Sequence, residues 1–499
     1  MSYAALYKGT KPIIRLAAGS GGGTPWVRPA WPALADLTST NNIATGIYGV
    51  DETDSNLVSV LVVVSTGTWT IDWGDGTTET GLTSNVKRDH AYDYATIGSS
   101  PIDGLKPVVV TITTSGGNIT TLSLQKKHTL VAGAGAFTVN WLDFSINASQ
   151  ITLFEIGGTV VSMAKLQSCK IYNHSITGMT YLFQDCRLLQ NVPLFNTSSV
   201  TSMWGMFFNC HSLQTVPLFD TSSLTISRFM FSSCHSLKTV PLFNLSKVTD
   251  TQQMFVNCFS LTSVPLFNLE KATNLTEMFR ECRSLISVPL FNLNTIDNII
   301  TGFMFSGCTS LETVPLFNTV SATNIGGMFY ECKSLKNVPL FNTASVTNMS
   351  SMFQECRSLK SVPLFNTASV TTMSAMFYNC FSLESVPLFN TVNNQSFGFM
   401  FAGCSSLQKI PQFISSSVTS SSNISSFFAQ CPSLIKGRTN GIQYSISYGN
   451  CKLSAAALDD IFTGLGTASG SQTITIGGNP GAATCDRSIA TAKGWTVTG

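Results

Sequence analysis

The sequence predicts a mainly β fold with short helices: a solenoid of 24-residue coils preceded by a β-sandwich. Three observations predict it. VPLF occurs nine times, at Val192, Val216, Val240, Val264, Val288, Val314, Val338, Val362 and Val386, and a looser copy reads IPQF from Ile410. Cysteine keeps the same beat through Cys186, Cys210, Cys234, Cys258, Cys282, Cys308, Cys332, Cys356, Cys380 and Cys404, with one two-residue insertion between Pro289 and Pro315. Ahead of the repeats, alternating apolar stretches are punctuated by Asp-Gly, the mark of hairpins.

Bulk composition narrows the function classes. Lys plus Arg is 28 and Asp plus Glu is 26 in 499 residues, so no charge excess argues for nucleic acid or an anionic membrane. Charged residues are 11% of the chain, less than half the share of a typical soluble protein, so Ser, Thr, Asn and Gln must build much of the surface. The longest apolar run, LVSVLVVV at Leu57–Val64, is strand-length and too short to span a bilayer. The start, MSYAALYKGTKPIIRLAAGSGGG, lacks the layout of a secretory signal, and no lipidation motif is visible.

Residues 1–44 contain a Gly run that reads as a joint and a Trp-Pro-rich patch around Trp26, Pro29, Trp31 and Pro32. The patch is too apolar for a tail. Trp26 and Trp31 are expected to anchor a docking peptide that orders against a partner.

Residues 45–118 carry WTIDWGDGTTETG at Trp69–Gly81, HAYDYA at His90–Ala95 and KPVVVTITTSGG at Lys106–Gly117. The order W-x-x-D-W-G-D-G-T, H-x-Y, V-x-V-T resembles the PKD domain, which implies an immunoglobulin-like β-sandwich acting as a spacer or protein-contact unit. Asp72 and Asp75 are expected to stabilise the turn. Two carboxylates fall well short of the six to eight oxygens calcium takes.

Residues 119–170 look like degenerate coils that cap the array, with TLSLQKKHTL, ITLFEIGG and LQSCKIYN as their strands. Residues 171–435 hold the regular unit, C-x-S-L-x-x-V-P-L-F-N-T-x-x-V-T-x-M-x-x-M-F-x-x. Leu359, Val362 and Leu364 follow L-x-x-V-x-L, the short strand of a leucine-rich repeat. Val346, Met349, Met352 or Phe353, and Cys356 recur every three to four residues, which predicts one face of a short helix with Thr347 as its N-cap. A single coil cannot bury its apolar stripe. Stacked coils can, so identical residues are expected to form columns, with Phe195, Phe219 and Phe243 beginning a phenylalanine spine. The proline ends each strand and keeps it from lengthening, a guard against register slip. The asparagine column, Asn196, Asn244 and their successors, is expected to bond the backbone of adjacent coils.

The unit M-F-x-x-C-x-S-L-x-x-V-P-L-F-N-T-x-x-V-T-x-M resembles the BspA-type leucine-rich-repeat proteins of bacterial surfaces and some bacteriophages, over about residues 160–435. The common form of that family has a slightly longer turn after the strand. The resemblance implies surface adhesion or display. Residues 436–499 then read as a C-terminal cap: a helix in KLSAAALDDIFTGLG with Ser454 as N-cap, a strand in QTITIGG, a short helix in CDRSIATAKG and a last strand in WTVTG.

Recognisable catalytic chemistry is absent from the sequence. No C-x-x-C pair occurs among the fourteen cysteines, so a zinc site has little support. Column neighbours about 5 Å apart lie within disulfide reach, yet they end an apolar face, and buried free thiols are expected at Cys186, Cys210, Cys234 and their successors. The histidines at 90, 128, 174, 211 and 235 form no nucleophile–base pattern. His211 and His235 fall in one variable slot after the cysteine. No phosphate-binding loop, nucleophile elbow or dinucleotide fingerprint is present. No enzyme, cofactor or metal is expected.

Variation between coils gathers at outward positions. Lys238, Arg280, Glu312, Tyr330, Lys336, Lys360, Tyr378 and Lys409 are the expected recognition face. The functional expectation is a non-enzymatic virion surface protein: a phage tail-fibre or receptor-binding adhesin made in the host cytoplasm. It would contact other virion proteins through its N-terminal segment and a host-surface polysaccharide or protein through the solenoid. Alternatives are a head-surface fibre, decoration or structural spacer of the virion, and a bacterial cell-surface adhesin. Homo-oligomers are expected; nucleic acid and membrane insertion are not.

Overall fold

The computed structural model describes residues 31–52, 56–124, 140–156, 165–292, 301–414, 416–418, 420–424 and 426–499. Trp26 and His128 lie outside these. The N-terminal strands are β1 (Ile43–Asp51), β2 (Leu57–Val64), β3 (Thr68–Asp72), β4 (Thr78–Leu82), β5 (Arg88–Ala91), β6 (Leu105–Ser115), β7 (Ile119–Ser123), β8 (Trp141–Asn147), β9 (Leu153–Glu155) and β10 (Ser168–Ile171). They form a six-stranded sheet, β10-β8-β1-β6-β3-β4, and a four-stranded sheet, β5-β2-β7-β9. Trp69, Trp73, Trp141 and Tyr48 are among the largest wholly buried side chains. Gly46 makes room for two of the rings here: a Cβ on it would lie 2.5 Å from Trp141 and from Phe144.

The two sheets start the solenoid. Pairing is antiparallel until the last strand of each, where β10 joins β8 in parallel and β9 joins β7 in parallel. Parallel pairing of successive turns is what a winding chain requires, so each sheet hands its edge to the first coils. A β-solenoid of about 13 coils follows. Parallel bridges link Gly178, Ser202, Ile226, Asp250 and Asn274, one per coil, at the 24-residue period.

The predicted columns are present. Phe195, Phe219 and Phe243 are buried, as are Cys186, Cys210 and Cys234. A second phenylalanine column, Phe183, Phe207, Phe231, Phe255 and Phe279, stacks face to face with centroids 5.4–5.5 Å apart. That spacing follows the axial rise of about 4.8 Å per coil and suits offset stacked rings.

Among the described residues the helix expected within each coil does not form, apart from a single 3-10 turn at Ser421–Asn423. From Met203 to Cys210 the chain makes overlapping turns, with Gly205 at φ 60° and Asn209 at φ 61°. Alternate amides divide the bonding. Met206, Phe208 and Cys210 donate three residues back, to Met203, Gly205 and Phe207. Met203, Gly205, Phe207 and Asn209 donate to Ile226, Arg228, Met230 and Ser232 of the next coil at 2.9–3.1 Å. A helix would spend every amide internally and leave none for the neighbouring coil. Thr347 therefore caps nothing; its N–H and Oγ1 donate to the Thr323 carbonyl of the preceding coil at 2.9 and 3.2 Å.

The L-x-x-V-x-L stretch likewise forms no continuous strand. One amide per coil bonds across, as from Lys336 to Glu312 at 3.2 Å. After the proline, in six of the coils, the chain folds into a three-residue turn: Phe219 N–H donates to the Pro217 carbonyl at 2.9 Å, and Leu218 stands at the apex. Leu364 occupies the same place and is 58% exposed, so it is not a core residue.

The asparagines act within their own coils. Asn196 Oδ1 accepts from the Ser198 N–H at 3.0 Å and Asn244 Oδ1 from the Ser246 N–H at 3.2 Å, both Asx turns. The bond to the next coil comes from the residue after: Thr197 Oγ1 donates to the Asp220 carbonyl at 2.8 Å.

The C-terminal cap follows expectation closely. Helix α1 (Ala455–Gly464) starts at Ser454, whose Oγ accepts from the Ala457 N–H at 3.3 Å. The pairs β11 (Phe413–Ile414) with β12 (Thr439–Asn440), and β13 (Ile446–Ser447) with β14 (Thr473–Thr475) and β15 (Thr496–Thr498), continue the parallel stacking. A short α2 (Ser488–Thr491) lies between β14 and β15. Trp495 is buried at the end and donates Nε1–H to the Gly466 carbonyl at 2.7 Å.

Candidate recognition surface

The residues singled out for recognition sit on two stripes. Lys238, Glu312, Lys336 and Lys360 follow the buried leucine at the start of the V-P segment, and all are exposed. Lys409, also exposed, is one place further on. Arg280, Tyr330 and Tyr378 follow the buried Met-Phe pair on the turn segment, with Arg280 exposed and the tyrosines half-buried. Inter-coil bonds fix the backbone under both stripes, so side chains differ at constant spacing.

The structure brings several of them together. Lys336 Nζ lies 2.7 Å from Glu312 Oε2, and Lys360 Nζ 3.7 Å from Glu384 Oε1. Arg280 pairs with Glu277 at 3.2 Å. Burial raises the Tyr330 hydroxyl pKa, and nearby Glu331 and Glu355 push it further, with Arg280 opposing. Among the described residues Lys238 and Lys409 form no ion pair, and the two stripes do not converge on one pocket.

Two features of this surface were not read from the sequence. The slot after each cysteine is a stack: His211 and His235 lie 4.2 Å apart, His235 and Phe259 4.5 Å, and the Arg283 guanidinium covers Phe259 at 4.4 Å. Burial, the neighbouring His235 and Arg187 hold the His211 pKa down at about 4. A second cluster gathers Tyr181, Trp204, Arg228 and Phe229, with Arg228 5.6 Å from the Trp204 ring and 4.9 Å from the Phe229 ring. The clue to both was equivalence of position in adjacent coils.

Trp31 of the expected docking patch is engaged by its own chain. Its Nε1–H donates to Gln167 Oε1 at 3.1 Å, and it packs with Leu34 against Ile47, Leu105 and Leu142. Asp72 and Asp75 serve turns, as expected. Asp72 Oδ1 accepts from Gly74 N–H, Asp75 Oδ1 from Thr77 N–H, each at 2.9 Å, and Asp75 Oδ2 meets His90 Nε2 at 2.8 Å. Among the described residues no group of three or more His, Cys, Asp or Glu is placed to hold a metal ion, and no helix is long and apolar enough to cross a membrane.

Comparison with known proteins follows the repeats. A family model described as "Mycoplasma protein of unknown function, DUF285" matches residues 177–291, 259–361, 300–414 and 336–437. No curated protein matches. Similar solved structures include a leucine-rich repeat protein from Eubacterium ventriosum, 15% identical, covering 56% of this chain and 92% of its own, with a TM-score of 0.31. An internalin from Listeria monocytogenes is 14% identical over 68% of this chain and 84% of its own, with a TM-score of 0.23.

Proposed function

We propose, since this chain belongs to the family described as "Mycoplasma protein of unknown function, DUF285", that its solenoid is a non-enzymatic display scaffold that recognises a surface ligand, and that it serves a phage as a tail-fibre or receptor-binding adhesin. One observation carries the reading. Core columns repeat nearly unchanged from coil to coil, while the outward stripes at Lys238, Glu312, Lys336 and Lys360 and at Arg280, Tyr330 and Tyr378 change side chain on a fixed backbone. Mere solvation of a rod needs no aromatic or guanidinium groups, and these are the side chains that dominate binding energy at interfaces. The N-terminal two-sheet module is taken as a PKD-type spacer joined directly to the first coils, and the N-terminal segment, residues 1–44, as the part that contacts other virion proteins.

The test uses the full chain, fluorescently labelled, against a panel of intact bacterial strains. The adhesin reading expects saturable binding to at least one strain. Binding should be lost when Arg280, Tyr330 and Tyr378 are changed to serine with the melting temperature unchanged. Failure to bind any strain, or binding that survives those changes, overturns recognition by this face and leaves a structural spacer. Immunogold labelling of phage particles tests the virion assignment separately.

A further inference from the structure

Leu194, Leu218, Leu242, Leu266, Leu290, Leu316, Leu340, Leu364 and Leu388 each follow the proline of their coil and are 56–65% exposed. Buried positions repeat because the core demands it. These leucines repeat in nine coils while pointing outward, beside positions that vary freely, such as Gln214, Lys238, Thr262 and Glu312. The tenth copy carries Gln412 instead, so the ladder stops where the regular array stops. Core packing does not explain an outward position this uniform.

In six of the nine coils a turn fixes the direction of the leucine: the amides of Phe219, Phe243, Phe267, Phe317, Phe341 and Phe365 bond to the carbonyl of the proline two residues back at 2.9–3.0 Å, and the proline fixes its own φ. The ladder is therefore a rigid row about 38 Å long, eight steps of about 4.8 Å. Between Leu194 and Leu218 lies an open cleft of about 320 Å³, lined also by Phe195, Asn196, Thr197 and Asp220.

We propose that this leucine ladder is the face through which two copies of the chain associate. Spacing chooses the partner. An extended peptide presents side chains to one face every 6.6–6.8 Å or so, twice the strand rise. A helix repeats at about 5.4 Å per turn. Either drifts out of step with a 4.8 Å ladder within a few rungs. Only another array wound at the same rise keeps its leucines in step with this ladder along all nine coils, and a second copy supplies one. A two-fold axis then makes the contact self-complementary and closed.

Area is consistent with a stable pair. Burying a leucine removes roughly 60–120 Å² at about 25 cal/mol/Å². Nine leucines with somewhat over half that area still exposed contribute several hundred Å², near or above the largest apolar patch of a typical monomer. That is a large part of the roughly 800 Å² per partner of a standard interface. Charge does not oppose the approach, because Glu312 and Lys336 beside the ladder already neutralise each other at 2.7 Å.

Sedimentation of the full chain tests this. The expected result is a species of twice 53.6 kDa, with the quadruple change Leu242→Ser, Leu266→Ser, Leu290→Ser and Leu316→Ser sedimenting as a monomer with unchanged melting temperature. The substitutions fall at exposed sites, where changes are usually within about 0.5 kcal/mol, so the fold should survive them. A second readout is Leu290→Cys, the middle rung, which meets its own copy in a full-length pairing and should give a covalent dimer under mild oxidation. A wild-type chain that stays monomeric up to about 100 µM, a trimer, an association untouched by the quadruple change, or a dimer in which Leu290→Cys does not cross-link would each overturn the proposal.

Discussion

Cys210 Sγ–H donates to the Phe183 carbonyl of the preceding coil at 3.0 Å, and Cys234 repeats the bond to Phe207 at 3.2 Å. The same contact runs on through Cys258, Cys282, Cys308 and Cys332 at 3.1–3.2 Å. Each thiol fills a small apolar site and satisfies a carbonyl at once. That explains why the position repeats as cysteine without any disulfide: all fourteen are free.

These thiols should be inert in the native chain. Burial, the leading cause, raises the pKa of every column cysteine, to about 12 at Cys431 and well above the ordinary thiol value at Cys332. The thiolate is the reactive form. Cys485 is the exception among the cysteines in being only partly buried. Ellman's reagent at pH 8 should titrate about one thiol promptly, and fourteen after unfolding in guanidinium. Prompt reaction of several thiols in the folded chain would contradict the buried column.

Acid should weaken the array at the His211–His235 stack. Both histidines have lowered pKa values, with burial the largest cause, and that of His211 falls to about 4. The folded state therefore favours neutral rings, while the unfolded chain protonates near 6.5. Between those values the unfolded chain binds more protons, so stability is complete above about pH 6.5 and falls as pH drops toward 4. The double change His211→Phe, His235→Phe should flatten the fall in melting temperature over that window. Phenylalanine already fills the slot at Phe259 and Phe381. An unchanged slope would assign the acid sensitivity to other groups.

Left-handed residues should govern tolerance in the turn segment. Ala375 has φ 55°, and its slot is left-handed at Gly205, Phe229, Gln253, Gly327 and Ser351 as well. Left-handed backbone costs an L-residue roughly 1–2 kcal/mol, and glycine loses about 0.5–1 kcal/mol to entropy. Ala375→Gly should therefore gain about 0.5 kcal/mol, and Ala375→Val, β-branched at positive φ, should lose 1 kcal/mol or more. Denaturant titration should give the order Gly, Ala, Val. A valine variant as stable as the parent would rule out the turn geometry and restore the helix.

That helix marks the limit of what the repeat revealed. Period, cysteine column, phenylalanine spine and C-terminal helix were legible because each depends on identity at a fixed spacing, and 24 residues set that spacing. Met203, Met206, Phe207 and Cys210 have the spacing of a helical face, yet a chain of turns with left-handed links at Gly205 and Asn209 buries the same set. Deciding between them requires the amide ledger, which only the neighbouring coil completes. Leu364 reads as a strand residue for a similar reason. L-x-x-V-x-L alternates like a strand, but the proline turn rotates its last leucine outward. Of the recognition stripes, exposure was legible, while the partnering of Lys336 with Glu312 depended on which coils touch. Asn196 was assigned to the adjacent coil when that bond belongs to Thr197, because adjacent hydroxyl and amide columns are equally able to make it on paper.

The division of labour between Thr and Asn is itself measurable. Thr367 is buried, and its Oγ1 donates to the Asn390 carbonyl of the next coil at 2.8 Å. Asn366 is exposed and holds only the local turn, accepting from Ala368 N–H at 3.1 Å. Thr367→Val keeps the shape, removes the donor and leaves a carbonyl unpaired between coils, which costs about 1–3 kcal/mol. Asn366→Gly loses a solvent-accessible turn bond that water replaces, at about 0.5 kcal/mol or less. Equilibrium unfolding in urea should therefore place the threonine variant well below the asparagine variant. The reverse order would mean that the asparagine column joins the coils after all.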